Sequence, residues 1–282
     1  TGLVRHATGS GKTFTALFAL KRHFKKHSCA LILVPSLPLH RQWLREIKKI
    51  IPDATIMSVS SKNQVWRKDG QLRRFTKESE NEKNRKNILV AVNNSARTEK
   101  FLSNLSNNNH LFVIADEVHN LGSRENSKIF GIQTDVKMGL SATPERYFDP
   151  EGTERIFNYF GDILPTTYDL QDAIKDGNLV PYQYFPSTIY LSEKEQKEWD
   201  QLTVQINSAV GKCEKTPDGK RIPSEKLTVL CSLRARISKE AEHKFAAAIE
   251  ILVNHFEENQ AWLVYCQSKN QMEHLRELLN KH

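Results

Sequence analysis

The sequence predicts an α/β protein built on a parallel sheet with helices on both faces. Three observations carry that expectation. Short, continuously apolar runs alternate with amphipathic stretches through the first half of the 282 residues. A glycine-rich stretch, His6-Ala7-Thr8-Gly9-Ser10-Gly11-Lys12-Thr13, separates the first run from the first helical pattern. A later run ends in paired carboxylates, Ile114-Ala115-Asp116-Glu117. Strands without a polar side are covered on both faces, and helices are the usual cover.

The elements follow in order. Leu3-Val4 opens the first strand, and residues 13–25 read as a helix with Phe14, Leu17, Phe18 and Leu20 on its buried side. Residues 30–34 form a buried strand closed by Pro35, and 39–51 a helix. Further strands are expected at 55–60, 88–92, 111–115 and 137–140. Right-handed crossovers then bring every strand's carboxyl end to one edge, where ligands collect. After Pro144 the pattern changes. Short helices are expected at 153–160 and 170–175, the second ended by Gly177-Asn178. Residues 182–191 are extended, and Ser192-x-x-Glu195 is a capping box that starts a helix. A polar loop with two prolines spans 211–226, and long helices run on to about 258. A strand at 261–266 and a helix at 270–280 complete the chain. A domain boundary is expected near 178–182, giving a first domain at 1–180 and a second at 181–282.

Composition narrows the class. Apolar content of 39% and charged content of 26% describe a globular protein. No apolar run approaches the roughly 18 residues of a membrane span. Cys29, Cys213, Cys231 and Cys266 are scattered without a Cys-x-x-Cys pair, which argues against a zinc ribbon or disulfide framework and fits a reducing cytoplasm. Thr1 follows no initiator Met and opens no signal pattern, so it reads as a cut in a longer protein. A net charge of +8 suits a polyanion partner, and the excess is concentrated: residues 62–86 hold nine Lys or Arg against four Asp or Glu. That stretch reads equally as a solvated face and as a nucleic-acid contact.

A phosphate cradle needs small residues, so that successive backbone N–H groups can turn onto the anion, and a following helix whose amino end adds positive potential. Thr8, Gly9, Ser10, Gly11, Lys12 and Thr13 provide that order, with Lys12 for the β- and γ-phosphates of ATP and the Thr13 hydroxyl for Mg²⁺. The strict pattern G-x-x-x-x-G-K-[ST] fails at His6, and Gly-Lys-Thr also occurs as an ordinary turn. In the acidic run, Asp116 suits Mg²⁺ and Glu117 a water-activating base. A third stretch, Gly139-Leu140-Ser141-Ala142-Thr143-Pro144, puts hydroxyls at a strand end, or caps a turn before Pro144.

Taken in order, HATGSGKT, LILVPSLPLHRQW (31–43), DEVH (116–119) and LSATP (140–144) resemble the first motor domain of superfamily 2 helicases and translocases. LSATPERYFD and DLQDAIKDGNLVPYQYF resemble the branch of type I and type III restriction-enzyme translocation subunits and excision-repair DNA helicases, in which His6 is a known variation. The resemblance implies a RecA-like P-loop domain followed by the incomplete start of a second one, ATP and Mg²⁺ as cofactors, and DNA rather than RNA as partner. It assigns catalysis to Lys12, Asp116 and Glu117, metal binding to Thr13 and Asp116, and coupling to His119, Ser141 and Thr143. Pro35, Ser36, Arg41 and Gln42 fall in a motif that touches nucleic-acid phosphates, and Asn94 and Ser95 in a further such segment. Trp43 and Trp66 could stack on bases, although packing is the commoner use of each. Nuclease or methyltransferase subunits are implied outside these residues. So are an adenine-reading glutamine upstream of the loop and an arginine finger downstream, and without them the piece alone is expected to be nearly inactive. An RNA helicase and a non-catalytic nucleic-acid scaffold remain the alternatives.

Overall fold

The computed structural model describes residues 1–68, 70–77, 85–106, 109–213 and 224–281. It divides into two compact units, Thr1–Tyr182 and Gln183–His282.

The first unit is the expected RecA-like α/β sheet. β1 (Gly2–Arg5) leads into α1 (Lys12–His23), β2 (Cys29–Val34) into α2 (Leu37–Ile50), and β3 (Thr55–Val59) into α3 (Gln71–Thr76). β4 (Asn87–Val92) is followed by α4 (Asn93–Ala96) and α5 (Glu99–Asn104). β5 (Phe112–Asp116) leads into 3₁₀ turns at Val118–Gly122 and Asn126–Gly131; β6 (Lys137–Ser141) precedes α6 (Pro150–Phe160) and α7 (Leu170–Lys175). The six strands are parallel in the order β1-β6-β5-β2-β4-β3. Residues 162–168 extend the β1 edge through parallel bridges Leu3–Ile163 and His6–Tyr168.

Alternation along each strand feeds two cores. Leu31, Leu33, Leu89, Ala91, Val113 and Ala115 face one, with Phe101 and Phe160 from the covering segments. Ile32, Val34, Val90 and Ile114 face the other, under Leu17 and Leu20 of α1 and Trp43 and Ile47 of α2. The expected inward Phe14 and Phe18 are instead 48% and 61% exposed. The stripe of α1 that meets the sheet is Ala16, Leu17 and Leu20. At 3.6 residues per turn, Phe14 and Phe18 lie roughly 110–150° from its centre.

The second unit is helical where described: α8 (Glu193–Gly211), α9 (Glu225–Lys239), α10 (His243–His255) and α11 (Lys269–Leu279). Ser192 and Glu195 form the expected reciprocal capping box. Arg234 of α9 lies 5.0 Å from the Trp199 ring of α8 and donates to Thr203 Oγ1 at 3.2 Å. The strand expected at 261–266 is absent, and 182–191 joins no ladder. A strand needs a neighbour for its N–H and C=O groups, and no sheet exists among the described residues of this unit. Much of the 211–226 loop, and Asp69 and 78–84 of the basic stretch, lie outside the described residues. No helix of the described residues is long and apolar enough to cross a membrane.

Candidate active site

Because all strands run one way, their carboxyl ends share an edge. Along it stand, in sheet order, His6 after β1, Ser141 ending β6, Asp116 ending β5, Pro35-Ser36 after β2, and Asn93 to Ser95 after β4. The glycine loop and the paired carboxylates therefore meet at one end, and the motif residues assigned to nucleic acid continue the row.

Gly9 and Gly11 adopt φ of 81° and 84°, the left-handed region that favours glycine. A Cβ on Gly9 would approach Leu179 Cδ2 to 3.2 Å. α1 starts directly on the loop at Lys12. The Lys12 ammonium donates to the carbonyls of His6 and Ala7, both at 3.0 Å. Burial pushes it below its ordinary pKa, and the Glu117 and Asp116 carboxylates pull it back. His6, the departure from the strict motif, is held by the 162–168 segment. Its Nε2 lies 3.0 Å from the Thr166 carbonyl and its ring is edge-on to Tyr168 at 6.0 Å.

Asp116 is 7% exposed. Its Oδ1 accepts from the Glu117 N–H at 3.0 Å and its Oδ2 from the Trp43 indole N–H at 2.8 Å. Glu117 has φ 46°, a strained conformation for a residue with a long side chain, and such strain clusters at functional sites. Its Oε2 lies 3.5 Å from His119 Nδ1. The Asn120 amide nitrogen lies 3.1 Å from His119 Nε2, and His119 Nδ1 lies 3.2 Å from Ser141 Oγ. Ser141 Oγ also accepts from the Thr143 N–H at 3.1 Å. A continuous polar chain thus runs from Glu117 through His119 to Ser141 and the Thr143 backbone.

These residues suit ATP and Mg²⁺. Oxygen donors from Asp116 and Thr13 match a hard cation that keeps several ligands from phosphate and water, and the left-handed glycines open the loop's amides to an anion.

The motif residues assigned to nucleic acid differ in exposure. Arg41, Gln42 and Asn94 are exposed; Pro35, Ser36 and Ser95 are half-buried. Ser36 begins α2 without using its hydroxyl as a cap. Trp43 and Trp66 are unavailable for base stacking, being 0% and 2% exposed. Trp43 fills the core under α2, and Trp66 packs edge-on against Phe101 at 5.7 Å.

Sequence reasoning missed the clamp on the acidic loop. Arg146 donates to the His119 carbonyl at 2.5 Å and to Asp149 at 2.7 Å, while Arg155 donates to the Gly122 carbonyl at 2.8 Å. Arg146 holds the Asp149 carboxyl below the usual range, and that carboxylate caps α6 at the Gly152 N–H, 2.8 Å away. The signal was present in the LSATPERYFD run, where Arg and Asp are spaced to span one turn.

The family described as type III restriction enzyme, res subunit, matches residues 1–146. Similar curated proteins include putative ATP-dependent RNA helicases of African swine fever virus. One isolate's protein is 28% identical over 169 residues, covering 57% of this chain and 29% of that protein. Another strain's is 26% identical over 196 residues, covering 66% and 34%. The chain thus spans about a third of the length of those relatives. Solved structures with some likeness include the UvsW helicase from bacteriophage T4, at 15% identity over 58% of this chain and 53% of that one, with a TM-score of 0.39. The Hef helicase domain of Pyrococcus furiosus gives 14%, 90%, 54% and 0.46 respectively.

Proposed function

This chain belongs to the type III restriction enzyme res-subunit family, and from that premise we propose that it is the ATP-driven motor of a DNA helicase or translocase. One observation carries the proposal: the glycine loop, the Asp116-Glu117 pair and the bonded His119–Ser141 link converge on one sheet edge. A scaffold without turnover has no use for all three. Residues 1–180 are read as the first motor domain, and 181–282 as a connector and the opening of a second.

The loop amides of residues 8–13 bind the phosphates of ATP, with Lys12 turning its ammonium from the loop carbonyls onto the β- and γ-phosphates. Thr13 and Asp116 would hold Mg²⁺, which would supply neutralisation of phosphate charge. Glu117 orients the attacking water and takes its proton. The state of Glu117 passes through His119 to Ser141 and Thr143. Pro35, Ser36, Arg41, Gln42, Asn94 and Ser95 grip the sugar-phosphate backbone without reading sequence. Nuclease or methyltransferase partners, if the complex is a restriction system, lie outside these residues.

Glu117→Gln in the full-length protein tests the mechanism. It should bind ATP and lose turnover by at least about 100-fold, the low end for a general base. Turnover close to the parent's would remove Glu117 from its role. The description of the viral relatives favours RNA as a second reading. Stimulation of the ATPase by double-stranded DNA above that by RNA supports the DNA reading, and the reverse replaces it.

A further inference from the structure

The bond from Trp43 to Asp116 joins two functions that the sequence keeps 73 residues apart. Strand alternation explains the meeting. Asp116 shares the parity of Ile114, so its side chain emerges on the face covered by α2, where Trp43 lies fully buried. The indole N–H is a donor only, so this contact cannot be inverted to suit another arrangement. Hydrogen bonds to a charged group are among the stronger ones in a folded chain. Breaking this one strips the metal-holding carboxylate of one of its two donors.

α2 also carries Arg41 and Gln42 of the proposed nucleic-acid contacts. Ser36 starts it, and the exposed Arg41 and Gln42 directly precede Trp43. One turn earlier on the buried side, His40 Nε2 bonds the Val90 carbonyl at 3.1 Å and lies 3.0 Å from Ser58 Oγ. α2 is therefore a rigid bar with two buried polar attachments, one to β4 and β3, the other to Asp116. A force applied at its exposed face reaches the carboxylate without passing through a flexible side chain.

We propose that Trp43 is a positioning residue that ties nucleic acid held on α2 to the metal-binding state of Asp116. This rests on the helicase reading above. Seating of the strand on α2 keeps the indole against Oδ2, holds the Asp116 rotamer that this bond selects and raises affinity for Mg²⁺-nucleotide. By linkage, Mg²⁺-nucleotide raises affinity for the strand by the same factor.

The test uses the full-length protein and its Trp43→Phe variant, which keeps an aromatic ring and removes the N–H. Affinity for a fluorescent ADP is measured across a Mg²⁺ titration, with and without a saturating oligonucleotide. The parent should show coupling of about 5- to 150-fold. Trp43→Phe should bring the ratio to within twofold of one, while oligonucleotide affinity without nucleotide stays within twofold of the parent's. A variant that melts lower yet keeps the parental ratio shows a packing role only and overturns the proposal, as does a parent that binds both ligands without coupling. A parent that binds neither ligand removes the helicase reading itself, a distinguishable result. Should Trp43→Phe fail to fold, indole N–H resonances of the parent give a second readout, Trp43 being one of four tryptophans within residues 1–282. Substituting Mn²⁺ for Mg²⁺ should broaden one of them selectively, and oligonucleotide alone should shift that same resonance. A broadened resonance that ignores oligonucleotide, or the absence of any broadened resonance, overturns the link.

Discussion

Gly139→Ala is the substitution whose cost the structure lets one work out most fully. Gly139 lies in β6 between β1 and the acidic loop. A Cβ there would sit 2.6 Å from Leu3 Cδ2, 3.0 Å from Val118 Cγ2 and 3.3 Å from Val118 Cβ. Leu3 and Val118 are both completely buried, so neither can swing into solvent. Forcing one methyl into such a site costs about 1–3 kcal/mol. For a unit of this size that lowers the melting temperature by roughly 2–12 °C. The displacement has a second effect, because Val118 directly follows Glu117. A shift near 1 Å in a catalytic group can cost about 100-fold in rate, so turnover should fall by more than nucleotide affinity. Gly131→Ala is the control: nothing lies within 4 Å of its added Cβ, and its backbone is not left-handed. Thermal unfolding followed by circular dichroism, with ATPase rates on the same samples, reads both effects. If Gly139→Ala melts within a degree of Gly131→Ala, the packing argument around β6 is wrong.

Ser141→Ala should cost about 1–2 kcal/mol from the lost Thr143 and His119 bonds. It should leave unstimulated turnover within a few-fold of the parent's while abolishing stimulation by nucleic acid; an unchanged stimulation ratio would disprove the relay. Burial holds the His40 imidazole below its ordinary pKa, Arg41 adding to the effect and the Val90 carbonyl opposing it. The folded protein therefore resists a proton that the unfolded chain accepts near pH 6.5. Stability is full above that pH and falls below it by up to about 1.4 kcal/mol per unit; His40→Asn should flatten the slope in melts between pH 7 and 5. Lys62, Arg67 and Lys68 are exposed beyond the carboxyl end of β3, and among the described residues none pairs with a carboxylate. If they contact the strand, replacing all three with Ala should reduce the salt dependence of binding by about 2–3 in log–log slope, and an unaltered slope marks them as a solvated face.

The sheet was legible because β2, β4 and β5 are buried on both sides and so are almost wholly apolar, while Pro35, Asn93 and the carboxylates punctuate their ends. The glycine loop was legible for a different reason: left-handed backbone at Gly9 and Gly11 leaves a composition signature. Phe14 and Phe18 were misread because apolar character alone does not fix which arc of a helix meets the sheet. The strand expected at 261–266 failed because apolar residues create the propensity, but a ladder needs a partner. Trp43 could be recognised as a core residue but not as a donor to Asp116, since that contact depends on the relative height of α2 and β5. Arg146 and Asp149 lay in plain view within a quoted motif, yet their grip on the His119 carbonyl depends on where α6 lands.

The left-handed backbone of Glu117 makes the proposed base a local weak point of the fold. A residue with a Cβ pays about 1–2 kcal/mol in that region, whereas glycine occupies it freely. Glu117→Gly should therefore give a protein that has lost its chemistry and withstands heat better than the parent. A screen that rewards thermal resilience alone would drift toward such variants.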